Sequence, residues 1–157
     1  MSIDIEQQYD KIYRYCYFKL RDRDVSEDIT QETFLRFLEK YSGLRSESAL
    51  KCLYTIARNL CIDEYRKPHM EPVEESMTDI AWEDRALTNL AVRNALSKLD
   101  ADEQELLLLR YVNEVPVGAI GKILGVSRFS VHRKLSSASK RFEEELWKEE
   151  DHGSLER

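Results

Sequence analysis

The chain has 157 residues, of which 42% are hydrophobic and 34% charged; with only five Gly and three Pro, this composition favours a helical core over sheets. It carries 24 Lys and Arg against 30 Asp and Glu, a net charge of −6, and no apolar run approaches the ~18 residues a membrane span needs. Its first residues, MSIDIEQQYDK, are the acidic opposite of a secretory signal, and Cys16, Cys52 and Cys61 are odd in number and without a CxxC, which excludes a disulfide framework and, with His69, His132 and His152 scattered, leaves no metal site and no cofactor to predict.

Residues 3–20 are expected to form the first helix, rich in Tyr and Ile, and residues 21–24 a charged turn. Ser26 can cap a second helix in SEDITQETFLRFLEKY, where Ile29, Phe34, Phe37, Leu38 and Tyr41 fall near one face. YSGLRSES, residues 41–48, reads as a loop punctuated by Gly43 and three serines. A third helix follows, with Leu50, Leu53, Tyr54, Ala57, Leu60, Cys61 and Tyr65 at helical spacing, and Pro68 ends it. Tyr54 has the spacing of a core residue rather than a base-stacking one.

Residues 68–85 hold six acids against Arg85, a net of −5, and with Pro68 and Pro72 they mark an acidic linker. Residues 86–99 are expected to be helical, and Asp100 or Asp102 can cap the helix EQELLLLRYV. Each half is then about 60 residues, a size that buries only ~60% of its unfolded surface and leaves stability marginal.

The sharpest local signal lies at residues 116–142. Pro116 can open a helix, Ile120, Ile123 and Leu124 supply its apolar face, Gly125 suits the left-handed residue that ends it, and Ser127 caps the next. Gly121, Gly125 and Val131 have the spacing that lets two helices cross closely, a helix-turn-helix. Val131, Leu135, Ala138 and Phe142 face inward, which leaves Arg128, Phe129, Ser130, His132, Arg133, Lys134, Ser136, Ser137 and Lys140 as the candidate DNA-reading set, flanked by Arg141. Phe129 could instead pack on the preceding helix. Residues 115–142 contain six bases and no acid, whereas residues 143–157 return to a net of −5, so the negative total comes from the linker and the tail. A solvated helix face, or a helix lying on a membrane surface, is the competing reading of the basic stretch.

Taken in order, SEDITQETFLRFLEKY, GLRSES, LYTIARNLCIDEYRK, LSKLDADEQELLLLRYV and the helix-turn-helix resemble an extracytoplasmic-function (ECF) RNA polymerase sigma factor. The resemblance covers nearly the whole chain and implies an all-α fold of two small helical domains joined by the acidic linker. Residues 1–67 correspond to a region 2 domain, 68–85 to the linker, 86–147 to a region 4 domain containing the helix-turn-helix, and 148–157 to an acidic tail. By the same resemblance, Asp28, Gln31, Glu32 and Arg36 dock on the clamp helices of the polymerase β′ subunit, with the β subunit a further contact. Leu44, Arg45, Ser46, Glu47, Ser48, Arg58 and Asn59 read the minus-ten element, where a base is held out of the stack at a cost of a few kcal/mol that hydrogen bonds to its edge must offset. The DNA-reading set on the last helix takes the minus-thirty-five element.

Two departures stand out. The family usually has Phe and Trp at the positions of Ala49 and Cys52, and often Arg where Ser137 and Ser139 stand, so the pocket wall is thinner and phosphate contacts are fewer. The implied role is a cytoplasmic bacterial transcription initiation factor that binds core RNA polymerase and promoter DNA and is held by an anti-sigma factor, with no catalytic activity and no membrane insertion. An autonomous helix-turn-helix regulator is the alternative, predicting operator binding without polymerase. An enzyme finds no support, since no Ser-His-Asp arrangement, metal cluster or phosphate loop is present.

Overall fold

The computed structural model describes residues 4–41, 43–44, 46–67 and 90–155, with the side chains of Ser46 and of residues 150–155 left aside. The acidic linker expected at 68–85 lies outside the described residues, as does Arg45. The described residues form seven helices: α1 (Ile5–Leu20), α2 (Arg23–Tyr41), α3 (Ser46–Arg66), α4 (Leu90–Ser97), α5 (Ala101–Leu107), α6 (Val117–Leu124) and α7 (Arg128–Leu155). They divide into two compact units, the first built on α1–α3 and the second on α4, α5 and α7, with α6 joined to α7 through a tight turn.

In the first unit the three helices pack pairwise on one another. Asp4 caps α1 by accepting from the Gln7 N–H. Arg21 ends it in the left-handed conformation (φ 54°) and donates its N–H to the Tyr17 carbonyl. Ser26 does not cap α2. Asp22 does, its Oδ1 accepting from the Val25 N–H at 3.0 Å, so the helix starts at Arg23 and encloses Ser26. The inner face of α2 is correspondingly polar in its letters: Ser26, Thr30 and Thr33 are buried beside Ile29, Phe34 and Phe37. Thr30 and Thr33 satisfy their hydroxyls by donating at 2.7 Å to the Ser26 and Ile29 carbonyls one turn back. Leu38 and Tyr41, expected on that face, are exposed because the buried stripe runs through Phe37 and leaves them beyond its edge.

The core is completed by Ile12, Tyr15 and Cys16 from α1 and by Ala49, Leu50, Leu53, Tyr54, Ala57 and Cys61 from α3, with Tyr15 and Tyr54 edge to face at 5.4 Å. Tyr65 is the exception on α3. It sits in the last turn at 74% exposure, past the end of the packed stripe.

In the second unit, Asp100 and Glu103 form a reciprocal capping box at the start of α5. Leu106, Leu107, Leu108 and Leu109 are all buried, and each gains about 1.5–3 kcal/mol from leaving water. At Leu108 the helix widens into a π-helical turn, Leu108–Val112, closed by the Asn113 N–H on the Leu108 carbonyl at 2.9 Å. Glu114 then takes a left-handed φ of 57°, which turns the chain into α6.

The 28-residue α7 is about 42 Å long. It packs against α4 and α5 and continues through position 148 to Leu155, so the acidic tail begins inside a helix. Two of its acids are structural: Lys98 reaches Glu149 at 3.2 Å and Glu145 at 3.7 Å, and Asn94 donates to Glu149.

Candidate nucleic-acid interface

Three surfaces carry the residues singled out by sequence. The first is the outer face of α2. Asp28, Gln31 and Arg36 are exposed and Glu32 half-buried; Asp28 and Gln31 stand on the side away from Ile29, Thr33 and Phe37, and Glu32 and Arg36 at the edge of that buried stripe. Arg36 Nε donates to Glu32 Oε1 at 2.8 Å, an i,i+4 pair on an exposed face that contributes about 0.3–0.5 kcal/mol. Gln31 donates to Glu27 at 3.3 Å, and Glu27 in turn accepts from the Tyr9 hydroxyl at 2.6 Å. Burial first, and that carboxylate second, push the Tyr9 phenol up to about 12. The sequence reading missed the apolar part of this face. Leu35 is 55% exposed and Leu38 46%, with Leu35 seven residues after Asp28 and therefore two turns along the same line. That spacing was a usable signal.

The second surface is the start and outer side of α3. The loop expected at 41–48 is shorter: Ser46, Glu47 and Ser48 already belong to the helix, whose first turn favours the Glu47 carboxylate at its positive end. Leu44 and Ser48 are exposed and Glu47 is half-buried. Asn59 is exposed and Arg58 half-buried. Ser48 and Asn59 lie on one side of the helix but about 16 Å apart along it, so they make a stripe rather than a single pocket. Cys52 and Thr55 lie between them, and Thr55 Oγ1 has no hydrogen-bond partner among the described residues. Ala49 is buried in the core and forms no pocket wall.

The third surface is α7. Gly125 ends α6 at φ +71°, and the Val126 N–H closes the turn on the Gly121 carbonyl at 2.9 Å. Ser127 Oγ accepts from the Ser130 N–H at 3.1 Å and starts α7. Val131, Leu135 and Ala138 are buried and Phe142 is half-buried. Arg128, Phe129, His132, Arg133, Lys134, Ser136, Ser137 and Lys140 are exposed, with Ser130 half-buried beside its cap. Phe129 does not pack on α6; it is 87% exposed. Arg141 is held elsewhere: its Nη1 donates to Glu103 at 2.8 Å, tying α7 to the capping box of α5. Ser139 reaches the Tyr111 hydroxyl at 3.5 Å on the π turn. The Lys and Arg side chains of residues 128–141 thus separate into one that positions α7 and four, Arg128, Arg133, Lys134 and Lys140, that form no ion pair among the described residues. No group of His, Cys, Asp and Glu among the described residues is placed to hold a metal ion, and no described helix is long and apolar enough to cross a membrane.

Comparison with known proteins matches two separate parts of the chain. Residues 5–69 match the model of sigma-70 region 2, and residues 89–142 that of sigma-70 region 4. The chain is 31% identical over 137 residues to the ECF RNA polymerase sigma factor BldN of Streptomyces coelicolor, covering 76% of this chain and 50% of that protein. It is 27% identical to the RNA polymerase sigma factor YlaC and 26% identical to the ECF sigma factor SigX, both of Bacillus subtilis, covering 84% and 88% of this chain and 83% of each relative. It therefore spans half the length of the first relative and most of the other two. Among solved structures, the sigma factor RpoE in complex with the anti-sigma factor NepR, from Bartonella quintana, superposes with a TM-score of 0.60 at 20% identity, covering 91% of this chain and 96% of that one. At that identity the likeness concerns the fold alone.

Proposed function

The chain belongs to the ECF-type sigma-70 family, non-catalytic RNA polymerase sigma factors that direct the polymerase to promoters, and on that premise we propose how its three surfaces divide the work. The outer face of α2 docks on the β′ clamp helices. Asp28, Gln31, Glu32 and Arg36 supply matched charge there, and Leu35 and Leu38 an apolar centre that loses water on contact. Leu44, Arg45, Ser46, Glu47, Ser48, Arg58 and Asn59 meet the opened strand at the minus-ten element, which follows the stripe of α3 from Ser48 to Asn59. A stripe about 16 Å long suits successive nucleotides of an extended strand better than one flipped base.

Arg128, Arg133, Lys134 and Lys140 neutralise phosphates of the minus-thirty-five duplex, while Phe129, His132, Ser136 and Ser137 face its base edges and Ser130 stands at the start of the helix. The domain limits 1–67 and 86–147, the acidic linker at 68–85 and the tail at 148–157 belong to this proposal, as do a further β-subunit contact, a cytoplasmic location and control by an anti-sigma factor.

The observation that carries the proposal is the state of the recognition helix: capped, turned by Gly125, and holding four exposed cations, of which Arg133 and Lys140 lie opposite Val131, Leu135 and Ala138 and Arg128 and Lys134 flank that side. Transcription by sigma-free core polymerase, with and without the purified chain, on a library of promoter sequences is the test. The expected result is transcripts with defined starts only when the chain is present. Tight binding to one duplex without polymerase, and no transcript from any template, would instead mark an autonomous regulator.

A further inference from the structure

We propose that Phe129 reads the methyl group of one thymine in the upstream promoter duplex and so determines part of the promoter specificity. The inference rests on the promoter-recognition reading above and deepens it by naming the base. Among the large hydrophobic side chains of the described residues Phe129 is the most exposed, at 87%, although Val131, two positions on, is fully buried. The fold makes no use of the ring.

Phe129 does have a consistent set of neighbours. Arg133, Ser136 and Lys140 follow it at i+4, i+7 and i+11 on the same side of α7, and all are exposed. It is the second residue of the helix, and helical side chains lean toward the N-terminus, so the ring reaches past the end of α7. In helix-turn-helix proteins it is this end of the recognition helix that meets the base edges. A phenyl ring can neither donate nor accept a conventional hydrogen bond there. The one apolar group that base pairs present in the major groove is the thymine C5-methyl.

The charge around the ring selects DNA over an apolar protein pocket. Arg128 adjoins it, and Arg133 and Lys134 stand one turn on, all exposed. A protein that buried Phe129 would have to desolvate these cations or supply acids to meet them, whereas a duplex presents phosphates on both sides of the groove.

To test this, elements are first selected from a promoter library randomised over the upstream element and transcribed by core polymerase reconstituted with the full chain. Each thymine of a selected element, on either strand, is then replaced singly by deoxyuridine, which removes the methyl and keeps every hydrogen-bonding group. With the wild-type chain, one replacement is expected to weaken holoenzyme binding about fourfold, the worth of a single methyl in an apolar contact. With Phe129→Ser, which should melt at the same temperature because the position is exposed, that replacement should have no effect. Indifference to deoxyuridine at every position, or equal sensitivity in wild type and Phe129→Ser, would overturn the proposal while promoter recognition stands. If Phe129→Ser weakened binding to core polymerase in the absence of DNA, the ring would belong to a protein contact and the proposal would also be overturned. No transcript from any library member would remove the underlying reading, and the proposal with it.

Discussion

Gly121→Ala tests whether backbone contact between α6 and the turn sets the position of the reading helix. A Cβ at Gly121 would lie 2.9 Å from the Val126 carbonyl oxygen, 3.7 Å from Val131 Cγ2 and 3.8 Å from the Arg128 nitrogen. The first distance is too short for a carbon–oxygen contact, and the oxygen is backbone that cannot swing aside. Relieving the overlap displaces the turn and the first residues of α7, an overpacking cost of about 1–3 kcal/mol. Against this, Ala in a helix is favoured over Gly by about 1 kcal/mol. The net expectation is a loss of about 1 kcal/mol, within a range of about 0–2, read as a fall in melting temperature of about 4–8 °C by circular dichroism. Gly125→Ala is the control. Its φ of +71° makes an L side chain strained by about 1–2 kcal/mol, yet nothing lies within 4 Å of the new Cβ. Both variants should therefore lose stability, but at a temperature where both remain folded only Gly121→Ala should bind the upstream duplex more weakly as holoenzyme. A Gly121→Ala variant as stable as wild type or more so, with unchanged duplex affinity, would refute the reasoning.

Other expectations can be checked singly. Arg133→Ala and Lys134→Ala should each weaken holoenzyme binding across all promoter sequences and make the slope of log K against log salt shallower by about 0.9, measured by anisotropy over a salt series. Leu35→Glu and Leu38→Glu should weaken association with core polymerase by about tenfold or more while leaving the melting temperature within a few degrees, because both side chains are exposed on α2. Tyr9→Phe should destabilise the first unit by about 1 kcal/mol by removing the hydrogen bond to Glu27. The folded-state pKa of Tyr9 is raised from 10.0 to about 12, so its contribution is complete below pH 10 and disappears as pH rises toward 12. Denaturant midpoints of wild type and Tyr9→Phe should converge over that interval.

How much was legible in the sequence depended on whether local chemistry or tertiary packing decided the matter. The helix-turn-helix was legible because its punctuation is local: Gly125 adopts a positive φ, Ser127 caps, and Gly121 has no room for a side chain. A cap at Asp100 or Asp102 was readable for the same reason, and Asp100 is the one that forms it. The start of α2 was not, because Asp22 and Ser26 are both good caps and only packing chooses between them. The inner face of α2 was concealed by its composition. Ser26, Thr30 and Thr33 look like surface residues to a scan for apolar period, yet they are buried, and the two threonines meet their needs on the helix's own carbonyls. Exposed Leu38, Tyr41 and Tyr65 mislead in the opposite direction. Of the site, the cationic set on α7 was readable from charge and period, while the separation of Arg141 from it depends on Glu103, 38 residues away.

The polarity of α7 argues that its charges answer to something outside the fold. An isolated helix is stabilised by acids in its first turn and bases in its last, each by about 0.3–1 kcal/mol. In α7 the order is reversed: the first turn has Arg128 and no acid, Arg133 and Lys134 follow, and the acids begin only at Glu143. Three acids have structural reasons for their places, Glu103 holding Arg141, and Glu145 and Glu149 holding Lys98. No such reason exists within the described residues for Arg128, Arg133 or Lys134, and Arg128, in the first turn, makes the free helix less stable for standing there. A polyanion changes the balance, because phosphates are attracted both by these cations and by the positive end of the helix dipole they crowd. What weakens the free helix becomes favourable when a duplex lies across its N-terminal half, and the acids beyond residue 142 confine that preference to the half that carries Arg128, Arg133, Lys134 and Lys140.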